Sequence, residues 1–402
     1  MSEAAEAINA TGPARRQFGF IHRFMLLSVV SGGSIALGRI ATQLFAIHLG
    51  ASSLQIGTIM AVEQAMMMSM AVPAGFLISR LGVRASYFTA SLGPMLVYLA
   101  MPFVNAWPLL ALARGLIGLC IPFRIVSMNT SFLRELPNIG KEKAGWYRGS
   151  QTIGLALIGP SLAALVTSHA GYGTAFVASG LMFGLMGAAS LTFFPDTREA
   201  PDANGPPVRL HREVGALLKR RNIFESCIIE HVSSATTALF STFILVLAIK
   251  TMGMSHERAV SLIAVQGGTT IASLFLLNRL YIRFTRYRGY LWSLCAGVGA
   301  MLCLGLGQSY FVLAVGAVLL SLGSTSIHFQ NMTQLSQSTV SKSKISGLFN
   351  LAGMSGNMVG SLGGGALSAI VPLHAVYLLW IVAIATTTAA IGWRARKGGD
   401  DD

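Results

Sequence analysis

Uninterrupted apolar runs alternate with short polar breaks along the whole chain, and the runs share one length. About 20 apolar residues in a helix cross about 30 Å of hydrocarbon. Runs of that size lie near 24–46, 54–78, 86–105, 108–131, 146–168, 173–194, 223–249, 259–282, 290–308, 310–334, 346–370 and 374–393. The pattern predicts an all-α membrane protein with twelve transmembrane helices in two pseudo-symmetric six-helix bundles. A cytoplasmic tail, 1–23, would precede a bundle over 24–194. A cytoplasmic linker, 195–222, would lead to the second bundle over 223–393, and a cytoplasmic tail, 394–402, would follow.

Orientation follows from the positive residues, which mark cytoplasmic loops. One set of loops and tails holds 24 of the 29 Lys and Arg residues, among them Arg80, Arg84, Arg134, Arg148, Lys219 and Lys342. The opposite loops hold only Lys250 and Arg258. Both termini are therefore expected on the cytoplasmic side of a bacterial-type inner membrane. The segment before the first helix lacks a small-residue cleavage site, so that helix reads as an uncleaved anchor.

Composition narrows the function. With 53% hydrophobic and 11% charged residues, the chain departs from soluble domains, where charged residues run near a quarter. The net charge of +14 would suggest nucleic acid in a soluble protein. Its loop-to-loop alternation makes it a topology signal instead, so no nucleic-acid partner is expected. The longest polar stretch, about 195–221, is too short for an ordinary catalytic or nucleotide-binding domain. No G-x-x-x-x-G-K-[ST] run indicates direct ATP use and no H-E-x-x-H marks a metalloenzyme. An enzyme is not expected, and neither a cofactor nor a bound metal is. The four cysteines lie in apolar runs and read as small buried hydrophobes. Met66, Met67, Met68 and Met70 read as gap fillers rather than copper ligands.

The halves repeat. Phe76-Leu77-Ile78-Ser79-Arg80-Leu81 recurs as Phe275-Leu276-Leu277-Asn278-Arg279-Leu280, offset by 199 residues, at the cytoplasmic end of the second helix of each half. Gly159-Pro160-Ser161-Leu162 aligns with Gly360-Ser361-Leu362-Gly363 in the fifth helix of each, offset by 201. Such repeats place substrate at their interface and alternate access by rocking. Small residues at spacings of three and four let helices approach closely, and a proline bends the helix.

These residues resemble the major facilitator superfamily. Gly75-Phe76-Leu77-Ile78-Ser79-Arg80-Leu81-Gly82-Val83-Arg84 is similar to its G-x-x-x-D-R-x-G-R-[RK] loop signature between helices two and three. Arg114 to Gly118 is similar to its R-x-x-x-G pattern in helix four. Leu155-x-x-x-Gly159-Pro160-x-x-Ala163-Ala164 resembles the G-x-x-x-G-P-x-x-G-G antiporter signature, with alanine or leucine at glycine positions. The resemblance implies the superfamily's fold and a gating role for Gly75, Ser79, Arg80, Gly82, Arg84, Gly159, Pro160 and Gly360. Ser79 replaces the signature aspartate and supplies no charge, so the implied cytoplasmic lock is weaker or differently built.

Ionisable groups inside the bilayer need a reason to be there. They are Arg39, Glu63, Arg114, Arg124, Glu225, Glu230, His231 and His328. Most lie on helices one, four, seven and ten, which line the central cavity in the resembled family. At 1.5 Å rise per residue, Arg39, Glu63 and Arg114 fall in the outer third, where they are placed to form one ion-pair cluster. Arg124, Glu230, His231 and His328 fall in the inner half, with Arg124 and Glu230 as partners across the halves. Glu63 reads either as a proton carrier or as a permanent ion pair. His231 and His328 are suited to proton handling or to plain hydrogen bonding, and Glu225 to snorkelling or to capping its helix start. Gln330 adds hydrogen-bonding capacity. The arginine excess suits a substrate with an anionic group. The expected function is proton-coupled efflux of a drug, metabolite or siderophore by a monomer in the lipid bilayer. Proton-coupled import of an anionic metabolite is the alternative.

Overall fold

The computed structural model describes every residue except 1–11, 140–145, 195–214, 216–217, 278–285, 338–341 and 398–402. The linker and the repeat residues Asn278, Arg279 and Leu280 thus fall largely outside the described residues. Twelve helices account for nearly all the rest. They are α1 (Gly12–His48), α2 (Ser53–Leu81), α3 (Val83–Ala100), α4 (Trp107–Ile139), α5 (146–170), α6 (172–193), α7 (Arg221–Val246), α8 (His256–Leu276), α9 (Arg286–Leu306), α10 (Tyr310–Gln337), α11 (Lys342–Ser368) and α12 (Leu373–Lys397). The first helix begins at Gly12, well before the apolar run that predicted it, so half of the expected tail 1–23 is helical.

Local chemistry sets the breaks. Gly171, at φ 81°, divides α5 from α6 in a conformation closed to most L side chains. Gly82, at φ 86°, makes the one-residue turn from α2 to α3, which explains a glycine at that place in the loop signature. Ser52 caps α2 reciprocally with Gln55. Helix α5 carries a π-helical segment, Gly154–Ile158, directly before Gly159 and Pro160. A proline brings no N–H to the ladder, and π segments mark such interruptions.

Helix contacts recur with a shift of six. In the first half α1 packs on α5, α2 on α4 and α3 on α6. In the second, α7 packs on α11, α8 on α10 and α9 on α12. The halves meet along α2 with α11 and α5 with α8. Small residues make these approaches possible. A Cβ at Gly154 would strike the Val29 carbonyl, and one at Gly360 the Ala235 carbonyl. Between halves, Gly57 lies on the Ser361 carbonyl and Gly267 on that of Ala156.

Among the described residues seven stretches are long and apolar enough to cross a membrane, and they comprise α1, α4, α5 with α6, α7, α9, α10 and α12. Helices α2, α3, α8 and α11 do not reach that mark, and of these α2, α8 and α11 lie at the contact between the halves. Leucines such as Leu96, Leu112, Leu165 and Leu185 are exposed, as expected where lipid is the solvent. This is a multi-pass membrane protein.

Candidate functional site

The connectors at 49–52, 171 and 252–255 form one end of the molecule, called here the far end. The opposite end, where Arg80, Arg84, Arg134 and Arg220 lie, is called the basic end. Between the halves lies a cavity of about 320 Å³. Arg39, Gln43, Glu63 and Gln64 line it from the first half, with Thr152 and Ala156 of α5. Thr237, Ser241, Gln266, Thr270 and Asn357 line it from the second.

The far end is sealed by contacts between halves. Gln43 Nε2 donates to the Ser241 carbonyl at 3.1 Å and Lys250 Nζ to the Ala51 carbonyl at 2.6 Å. Tyr172 Oη and His256 Nε2 lie 3.4 Å apart, and Gly365 abuts Leu54. Toward the basic end the interface helices emerge. Ile56, Ile59 and Met60 of α2 are buried, whereas Leu77 and Leu81 are exposed. On α8, Val260 and Leu262 are buried and Leu276 is exposed.

Glu63 sits in the cavity wall, 1% exposed, between two arginines. Its Oε1 accepts from Arg39 Nη2 at 3.1 Å and its Oε2 from Arg114 Nη2. Arg114 also donates to Tyr98 Oη at 2.6 Å. Two glycines admit this arrangement. Gly118 brings α4 onto the Glu63 backbone, and Gly38 leaves room on α1 for the Tyr98 ring. Arg39, with 30% of its side chain exposed, is the cavity-facing member, and Arg114, at 1%, is the buried one. The triad carries one positive charge in excess. Nothing in the sequence singled out Tyr98, since a tyrosine in an apolar run reads equally well as packing.

Arg124 lies elsewhere. Its guanidinium is 4.1 Å from the Phe183 ring centroid and donates to Ser31 Oγ and Tyr87 Oη at 3.2 and 3.0 Å. These are groups of α1, α3 and α6, so the side chain is buried inside the first half and is not brought to Glu230. Glu230 Oε2 accepts from Asn331 Nδ2 at 3.1 Å, and Tyr290 Oη donates to Asn331 Oδ1 at 2.7 Å. His231 Nδ1 and Ser355 Oγ lie 2.9 Å apart. The ring of His328 is 6.1 Å from that of Phe349, and Gln330 packs against Gly289. This second cluster lies within the last six helices, near the basic end. Glu225 is buried and accepts from Arg221 Nε at 3.0 Å, one turn away, so it forms an ion pair where snorkelling or a simple cap was expected.

Among the gating candidates, Gly75 is exposed with open space where a Cβ would sit, and Arg80 is exposed. Arg84 Nε donates to the Phe194 carbonyl at 2.7 Å, tying down the end of α6. Gly159 abuts Ala36, and Pro160 is buried beside it. Ser79 is helical, and its side chain lies outside the described residues. Of the cysteines, only Cys227 is buried, Cys120 and Cys303 are partly so, and Cys295 is exposed, which corrects the expectation of four buried thiols. Among the described residues no group of three or more His, Cys, Asp or Glu is placed to hold a metal ion.

The family model described as Major Facilitator Superfamily matches residues 24–269. The chain belongs to the Major Facilitator Superfamily. No curated protein matches it in sequence. Solved structures share the superfamily fold. A crystal structure of the nucleoside transporter NupG, in a point-mutant form, is 14% identical with a TM-score of 0.79, covering 92% of this chain and 98% of that one. A POT family transporter in complex with a thioalcohol-conjugated peptide is 10% identical, with a TM-score of 0.79 over 94% and 96% of the two chains. A bacterial homolog of the human lysosomal transporter Spinster, inward-facing and unoccupied, is 14% identical, with a TM-score of 0.68 over 93% and 94%. As a Major Facilitator Superfamily member, the chain is a transporter of small solutes.

Proposed function

We propose that the protein is a proton-coupled exporter of a small organic solute, a drug, metabolite or siderophore, working as a monomer in a bacterial-type inner membrane. In this reading all twelve helices span the bilayer as two six-helix bundles, the basic end is cytoplasmic, and both termini are on that side. The state described is then closed to the outside and open inward. The observation that carries the proposal is the Arg39–Glu63–Arg114 triad in the wall of a cavity sealed at one end.

Glu63 is charged while Arg39 and Arg114 both hold it. Arg39 and Glu63 share the first half, so rocking leaves them adjacent and changes what the cavity faces. When Arg39 turns from Glu63 to the outward-open cavity, Glu63 keeps one partner and a proton from outside can neutralise it. Closure returns Arg39, expels the proton inward and resets the carrier. The resemblance of the Gly159-Pro160 helix to an antiporter signature favours exchange. The net positive triad, with Arg39 partly exposed to the cavity, supports a second reading, import of an anionic metabolite together with protons.

Inside-out vesicles separate these. Acidifying the lumen is expected to drive solute into the vesicles under antiport, and Glu63→Gln to abolish that drive while sparing downhill counterflow. Uptake that ignores lumenal pH, or a Glu63→Gln protein still driven by it, would remove Glu63 from the coupling. Solute leaving the vesicles with protons would establish the importer.

A further inference from the structure

We propose that the cavity binds a small, non-aromatic, polyhydroxylated monocarboxylate, docking its carboxylate on Arg39 and its hydroxyls on Gln43 and the wall formed by α7 and α8. The proposal rests on the transport reading above and narrows it to a substrate class.

Three features of the wall carry the inference. The first is charge. Arg39 spends one Nη2 hydrogen on Glu63 and keeps 30% of its side chain exposed, so its other Nη2 hydrogen can pair with Nε–H or Nη1–H as a fork for a carboxylate. Glu63 has both oxygens occupied by arginines, so an incoming anion meets the excess positive charge of the triad in the cavity wall. An ammonium group is repelled by the same excess, which disfavours amino acids.

The second feature is a demand for donors. Gln43 lies one turn beyond Arg39 on α1, about 6 Å along the axis. Its Nε2 is spent on the Ser241 carbonyl, and its buried Oε1 accepts nothing. Opposite, Thr237, Ser241 and Thr270 donate their hydroxyl protons to backbone carbonyls of their own helices, those of Ser233, Ala238 and Gln266. Their oxygens retain lone pairs facing the cavity. A buried acceptor left unmatched is unfavourable, so the fitting solute brings several O–H groups to this side and its carboxylate to the other.

The third is shape. The cavity, about 320 Å³, stands at the low end of the range of about 300–1,000 Å³ for small-molecule sites. None of its described lining residues is Phe, Tyr, Trp or His, so it has no ring on which a planar aromatic solute would stack.

The test uses the full-length protein in lipid nanodiscs with three probes of matched length: gluconate, sorbitol, which lacks the carboxylate, and hexanoate, which lacks the hydroxyls. Calorimetry is expected to show saturable gluconate binding at least tenfold tighter than either of the others. Arg39→Gln is expected to lose at least tenfold for gluconate and little for sorbitol, with partial recovery in Arg39→Lys. Equal affinity for the three probes on the unmutated protein overturns the proposal, as does full-strength gluconate binding by Arg39→Gln. Spin labels at the exposed far-end positions Ser168 and Glu257, one in each half, report separately on the transport reading. Two interconverting distances without gluconate selectivity sink the substrate class alone. A single rigid distance sinks alternating access itself.

Discussion

The two most deeply buried cations among the described residues behave oppositely at the scale of single residues. Arg114 is held by a carboxylate and a phenol, whereas Arg124 has no acidic partner among the described residues and rests on aromatic rings. Breaking a buried ion pair by removing one partner costs about 3–5 kcal/mol, whereas a buried charge without a counter-ion carries a desolvation penalty that an apolar replacement removes. Arg114→Met is therefore expected to lower unfolding stability in detergent by about 3–5 kcal/mol, since it strips Glu63 of its buried partner and leaves Tyr98 Oη unmatched. Arg124→Met is expected to change it by less than about 1 kcal/mol, its lost cation–π contact offset by the removal of Nε and Nη1, which have no hydrogen-bond partners. Circular-dichroism melts of both variants check the contrast, and equal losses would contradict it. The triad was legible in the sequence because depth counts along α1 and along α2 and α4, which run opposite to it, put Arg39, Glu63 and Arg114 at one level. The partnership expected for Arg124 was not, because depth says nothing about which way a side chain faces around its helix.

Among the helices, α2, α5, α8 and α11 do the joining, and each does so through a residue without a side chain or through its neighbour's carbonyl. Gly57 on α2 meets Ser361 on α11, and Gly267 on α8 meets Ala156 in the π segment of α5. A Leu at Gly57 would force these backbones apart at the far end, whereas Gly75, at the other end of the same helix, touches nothing in this state. Gly57→Leu is thus expected to bias the Ser168–Glu257 spin-label distance toward the far-end-open value. Gly75→Leu is expected to bias it toward the far-end-closed value, by obstructing closure at the basic end. Shifts of the same sign in both variants would argue against opposed gates on one helix. The apolar runs marked where these helices lie, and the repeat marked their small residues. Which neighbour each glycine admits depends on the rotation of whole helices, and short spacings leave that open.

For the whole molecule, the expected orientation predicts that a cytoplasm-active reporter fused after Asp402 and one fused before Met1 are both active, and a periplasm-active one at neither. Opposite results at the two ends would require an odd number of crossings. Length and hydrophobicity of the runs, the alternation of Lys and Arg, and the offset repeats are properties of the linear chain, since a bilayer reads each segment by its own solvation. They were enough to establish a multi-pass membrane protein, its helices and its superfamily. The pairing of Arg114 with Tyr98, the seal made by Lys250 and Gln43, the retreat of Arg124 into its own half and the acceptor-rich wall opposite Arg39 are of another kind. Each depends on which faces of distant helices meet, and that is set by packing among segments as far apart in sequence as Leu54 and Gly365, which no local pattern encodes.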